Sequence, residues 1–184
     1  MHGMTMARRL GIWAGSAALL AAAAVTGPAA GRAQAATGDL SCSGQFKMTF
    51  APGLKPGGSS AISVVASLGN CTSANGKYTN LTSATGSGTG SATANGSGPG
   101  PCGLLFRGTG TGTIKWAGAG VPDSTISFTV NTDPSTGAVT FKCVITGGTL
   151  NGDGDVVAPV ITSTTCSTGN GMGTMGANIA VSFS

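Results

Sequence analysis

The chain has 184 residues, of which 8% are charged and 33 are glycine; nine Lys and Arg against five acids give a formal net charge of +4. It contains no glutamate, and its one histidine is His2. These absences leave out Ser-His-Asp and Cys-His nucleophile systems, His-ligated zinc and any carboxylate pair not made of aspartates.

The first 35 residues read as an export leader. Arg8 and Arg9 form a basic start, "LGIWAGSAALLAAAAV" (10–25) is an apolar run, and Ala33-Gln34-Ala35 is a small-residue cleavage site. The run is short for a membrane span, and no second one follows it. Export by the general or the twin-arginine route places residues 36–184 outside the cytoplasm as one secreted domain, extracellular or bound to the cell wall and free of the membrane. Arg8, Arg9 and Arg32 leave with the leader, so six cations face five acids and the net charge falls to +1. That balance does not point to nucleic acid, which needs clustered cations.

The remaining chain reads as strands. In "SCSGQFKMTF" (41–50), Cys42, Phe46, Met48 and Phe50 share one parity while Ser43, Gln45, Lys47 and Thr49 share the other. "APGLKPGGSS" is a Pro/Gly connection, and "AISVVASLG" (61–69) repeats the alternation with Ile62, Val64, Ala66 and Leu68 inward. In 84–94 and 104–116, Gly and Ala alternate with Ser and Thr. Leu104, Phe106, Gly108, Gly110, Gly112, Ile114 and Trp116 fall on the parity opposite Arg107, Thr109, Thr111, Thr113 and Lys115. The apolar ends of this second stretch put the glycines inward and the hydroxyls outward. A glycine track of this kind marks close approach and leaves room for aromatic side chains, expected here from a facing sheet.

"STISFTV" (124–130) and "AVTFKCVIT" (138–146) form a hairpin across "NTDPSTG". "DVVAPVIT" (155–162) is a shorter strand with Pro159 at an edge or bulge, and "ANIAVSFS" (177–184) ends the chain. The expected fold is all-β: an antiparallel sandwich, or alternatively a closed barrel, of about eight strands braced by disulfides.

Five cysteines lie beyond the leader. Cys42 opens the first strand and Cys71 follows the second, so an antiparallel pair makes them neighbours. Cys143 sits between Phe141 and Ile145 on an inward parity and reads as a buried free thiol. Cys102 and Cys166 remain as the second bridge.

Two stretches are candidate sites. Asn151, Asp153 and Asp155 of "NGDGD" alternate as oxygen ligands can in a calcium loop, but Val156 and Thr162 stand where such a loop needs Gly and Glu. The preferred reading there is a polar hairpin without metal. Thr109, Thr111 and Thr113 form a hydroxyl row that could meet carbohydrate or ice, although no aromatic platform accompanies it. No cofactor is implied, and the partner is unknown.

An early Cys stands before Phe50, Pro52, Gly53 and Leu54, followed by Gly69 and Cys71; Cys102 then precedes Gly110, Gly112, Ile114 and Trp116, and a short Ser/Phe strand, Gly152-Asp153 and Cys166 complete the set. In these features the chain resembles a family of small, uncharacterised secreted all-β proteins of actinobacteria. The family pattern has four cysteines, with Gly where this chain has Cys143. The resemblance implies export and disulfides but carries no activity. The expected function is a non-enzymatic structural or interaction domain; the alternative is a small-molecule or carbohydrate-binding domain. An apolar interior pocket above roughly 300 Å³ would favour a small-molecule carrier.

Overall fold

The computed structural model describes residues 38–157 and 159–184; the expected leader, residues 1–35, lies outside them. Nine strands follow in chain order: β1 (Leu40–Leu54), β2 (Ser59–Thr72), β3 (Ala84–Ser97), β4 (Leu104–Trp116), β5 (Ser124–Thr132), β6 (Val139–Gly147), β7 (Gly154–Val157), β8 (Val160–Ser167) and β9 (Gly171–Phe183). One 3-10 turn, Pro101–Gly103, sits between β3 and β4.

All nine strands belong to one antiparallel sheet, in the order β7-β6-β5-β4-β3-β2-β1-β9-β8. β7 and β8 are consecutive in the chain yet stand at opposite ends of that order, so the sheet must curl. Two backbone hydrogen bonds between Gly154 and Ser184, 3.2 and 3.4 Å, bring β7 against the end of β9. The Asp155 side chain adds to them: its Oδ2 accepts from the Ser182 amide at 2.9 Å. The curled sheet lies between the two expected architectures: its halves face each other as in a sandwich, but they belong to one wall as in a barrel.

Proline stands at both departures from the expected boundaries. β1 continues through Pro52 to Leu54, and its pairing with β9 shifts between Thr49 and Leu54. Pro52 has no N–H to give a ladder, and it falls within that shift. The single strand expected over 155–162 is divided at Pro159. β7 stays with β6, where Cys143 pairs with Asp155, and β8 pairs with β9 from Val160 to Ser167.

The alternation read from the sequence is the alternation of burial. Cys42, Phe46, Met48 and Phe50 are buried on β1, as are Ile62, Val64 and Leu68 on β2. The core forms two clusters toward the two ends of the strands. One contains Phe46, Phe50, Leu104, Phe106, Phe128 and Met172; the other contains Leu40, Leu68, Ile114, Trp116, Ile145 and Phe183. Each fully buried large side chain contributes about 1.5–3 kcal/mol by leaving water.

Two disulfides brace the curl. Cys42–Cys71 ties the start of β1 to the end of β2, and Cys102–Cys166 ties the β3–β4 turn to β8 across 64 residues of sequence. Cys143 is unpaired and buried.

Candidate functional site: an outer hydroxyl field over a filled interior

On β3 and β4 the glycines face in and the hydroxyls face out. Register locks Gly88 opposite Gly112 and Gly90 opposite Gly110. The room above Gly110 is filled sideways, from the adjacent strand rather than from a facing sheet. Phe128 of β5 is the register partner of Gly110 and lies over it; a methyl group added at Gly110 would run into Cζ of Phe128 and the carbonyl of Thr89. A methyl group at Gly88 would come within 3.1 Å of the same ring. Phe128 stacks on Phe141 at 5.3 Å between ring centroids, and Phe141 meets Phe46 at 5.5 Å. These three rings come from β5, β6 and β1, so they span the inside of the curl.

Between the two core clusters the interior keeps an apolar cavity of about 80 Å³, lined by Phe46, Phe128, Phe141, Ile114, Cys143 and other side chains. Burial, and secondarily the Asp155 charge, push the Cys143 thiol up to about 11. At neutral pH it is a protonated thiol and a poor nucleophile.

On the outer surface the strands are in register hydroxyl to hydroxyl. Ser87, Thr89 and Ser91 of β3 pair with Thr113, Thr111 and Thr109 of β4. Those pair in turn with Thr125, Ser127 and Thr129 of β5. All nine positions of this block are Ser or Thr. The middle row runs further, from Thr165 through Thr174, Thr49, Ser63, Thr89 and Thr111 to Ser127. Neighbours lie about 4.8 Å apart across strands and about 6.8 Å apart along them. Within the nine, only Thr125 has a side-chain hydrogen bond to another described residue, the Thr146 hydroxyl at 3.2 Å. The other eight hydroxyls keep both donor and acceptor for solvent or a ligand.

Three cations frame this block. Arg107 and Lys115 lie at the two ends of the β4 row, and Lys142 of β6 is the register partner of Thr129. The Arg107 Nε donates to Asn131 Oδ1 at 3.0 Å. No carboxylate lies on the outer parity of β3 to β6; Asp123 and Asp133 sit in connections at the strand ends. Among the described residues, the ion pair observed is Lys77 with Asp39, at 3.1 Å.

Thr109, Thr111 and Thr113 are therefore placed together as the sequence expects. Thr125, Ser127 and Thr129 join them only through the β4–β5 register, which the sequence alone does not give. The calcium candidates have three different surroundings. Asn151 is exposed in a turn, and Asp155 is engaged with the Ser182 amide. Asp153 Oδ2 is buried and accepts no hydrogen bond from a described residue. Burial first, then the Asp39 charge, raise the Asp153 carboxyl, while Lys77 opposes them. Among the described residues no group of three or more His, Cys, Asp or Glu is placed to hold a metal ion.

No family model matches the chain, and no curated protein or solved structure is significantly similar to it.

Proposed function

We propose that this is an exported, non-enzymatic interaction domain that presents its outer sheet surface to material at or beyond the cell wall. The observation that carries this reading is the filled interior. Phe128 occupies the room above Gly110, and the cavity of about 80 Å³ left beside Gly86 and Gly88 is small beside the roughly 300–1,000 Å³ of typical ligand pockets. A carrier needs interior space, whereas an interaction domain needs a rigid wall and an uncommitted surface. The lack of Glu throughout and of His beyond His2 supports the non-enzymatic part.

Two disulfides are consistent with an oxidising, extracytoplasmic setting, and among the described residues no helix is long and apolar enough to cross a membrane. The resemblance to small secreted actinobacterial proteins supports the same setting. On this reading export removes residues 1–35 and Ala36 begins the secreted protein. Intact mass tests that; a secreted species that retains Arg32 contradicts it.

The functional test is co-sedimentation of the secreted protein with washed cell envelopes and with insoluble culture polymer. Saturable binding with no change in the polymer is the expected result. Release of soluble fragments would assign an enzyme, and absence of saturable binding would remove the interaction reading.

A further inference from the structure

We propose that the outer face of β3, β4 and β5, centred on β4, is the docking surface for an anionic polysaccharide of the uronic-acid type. This proposal rests on the interaction reading above and names its partner.

The shape selects the class of ligand. The face belongs to the outside of a curled sheet, so it offers no concavity for a small molecule. It bends across the strands and extends along each strand, which suits a linear polymer lying along β4. The outward side chains on that line are Arg107, Thr109, Thr111, Thr113 and Lys115: a cation, three hydroxyls and a cation. Eight residue steps of strand separate the two cations, about 27 Å of track. Ser91, Thr89 and Ser87 flank the row on one side and Thr129, Ser127 and Thr125 on the other, with Lys142 beside Thr129.

The chemistry selects within that class. Eight of the nine hydroxyls make no side-chain hydrogen bond to another described residue, so they remain available as donors and acceptors to the hydroxyls of a sugar. Lys115 and Lys142 form no ion pair with a described residue, and Arg107 commits only its Nε, to an uncharged amide. With no acid on the same face, the framing charge is positive, and carboxylates on the polymer complement it through charge-assisted hydrogen bonds. The face has no exposed aromatic ring on which a neutral sugar could stack, so recognition must come from charge and hydroxyls together. The field holds three times as many hydroxyls as cations. A uronic-acid polymer, whose rings carry more hydroxyls than charges, matches that ratio better than a poly(glycerol phosphate) or a nucleic acid.

The test is fluorescence anisotropy of fluorescein-labelled polygalacturonate oligomers titrated with the secreted protein. Competitors are unlabelled polygalacturonate, dextran, poly(glycerol phosphate) and double-stranded DNA. The expected result is saturable binding that weakens with added salt and yields to unlabelled polygalacturonate far better than to the other three. Arg107→Gln/Lys115→Gln should weaken binding roughly tenfold or more. Thr109→Val/Thr111→Val should weaken it roughly threefold or more. Lys55→Gln/Lys77→Gln, off this face, should leave it unchanged, and thermal melts verify that each variant is folded.

Absence of binding, equal competition by dextran, poly(glycerol phosphate) or DNA, or unchanged affinity in either face variant would overturn the proposal. So would an equal loss in the off-face variant. If it fails while envelope binding persists, the partner is wrong and the interaction reading stands. If both fail, the interaction reading falls with it.

Discussion

Trp116 and Ser124 show how much one buried hydroxyl can hold. Trp116 Nε1 donates to Ser124 Oγ at 2.8 Å, and Ser124 Oγ donates in turn to the Thr149 carbonyl, at a site where Ser124 is fully buried. Ser124→Ala leaves the Trp116 indole N–H unsatisfied in the core and removes a donor from the half-buried Thr149 carbonyl, and should cost about 1–3 kcal/mol, read by urea unfolding; a loss below about 0.5 kcal/mol would contradict the role given to these two hydrogen bonds. The strand alternation puts Ser124 on the inward parity of β5, with Ile126, Phe128 and Val130, but it cannot reveal the partners, which lie at the end of β4 and after β6. Asp133 illustrates the opposite, an exposed turn whose chemistry is local. Its Oδ1 accepts from the Ser135 hydroxyl at 2.6 Å and from the Ser135 and Thr136 amides at 2.8 and 2.9 Å. The Ser135 hydroxyl first, then these amides, hold the carboxyl down at about 2. The folded value lies below the ordinary one, so the turn gains its stabilisation above the unfolded value and loses it as the pH falls through about 2. A carboxyl carbon NMR titration should place the midpoint near 2; a midpoint near an ordinary aspartate's value of about 4 would contradict the capping geometry.

At the level of elements, the parity of each long strand is legible because side chains alternate with period two and one face of each strand is buried. The division of β7 from β8 is not. "DVVAPVIT" keeps its apolar content across Pro159, and nothing local says that its two halves pair with different strands. The disulfides hold these elements unequally. Cys42 is buried, whereas Cys166 is exposed on β8, which among the described strands pairs with β9 alone. Mild reduction followed by alkylation should therefore label Cys102 and Cys166 before Cys42 and Cys71 and leave Cys143 unmodified while the fold lasts. Early labelling of Cys143 or of Cys42 would contradict the burial. Cys102→Ala/Cys166→Ala should cost about 2–4 kcal/mol and speed amide exchange in β8 more than in β3 or β4. Uniform acceleration would mean that the bridge does not anchor β8 in particular.

For the whole molecule, the sequence left sandwich and barrel open because the choice depends on backbone bonds between Gly154 and Ser184, which leave no side-chain signature. The candidate surface was legible along β4, where the cations and hydroxyls of "RGTGTGTIK" share one parity, but not across strands. Whether Thr111 stands beside Ser127 or beside an apolar neighbour depends on register, and a slip of one residue would reverse it. Everything proposed for the surface rests on one inside-outside assignment: glycines under Phe128, threonines in water. Paired denaturant melts of Gly110→Val and Thr111→Lys test it most directly. Gly110→Val should lose about 1–3 kcal/mol, from overpacking against Phe128, and Thr111→Lys should change stability by less than about 0.5 kcal/mol. A larger loss from Thr111→Lys than from Gly110→Val would contradict that assignment, placing the hydroxyl row inside.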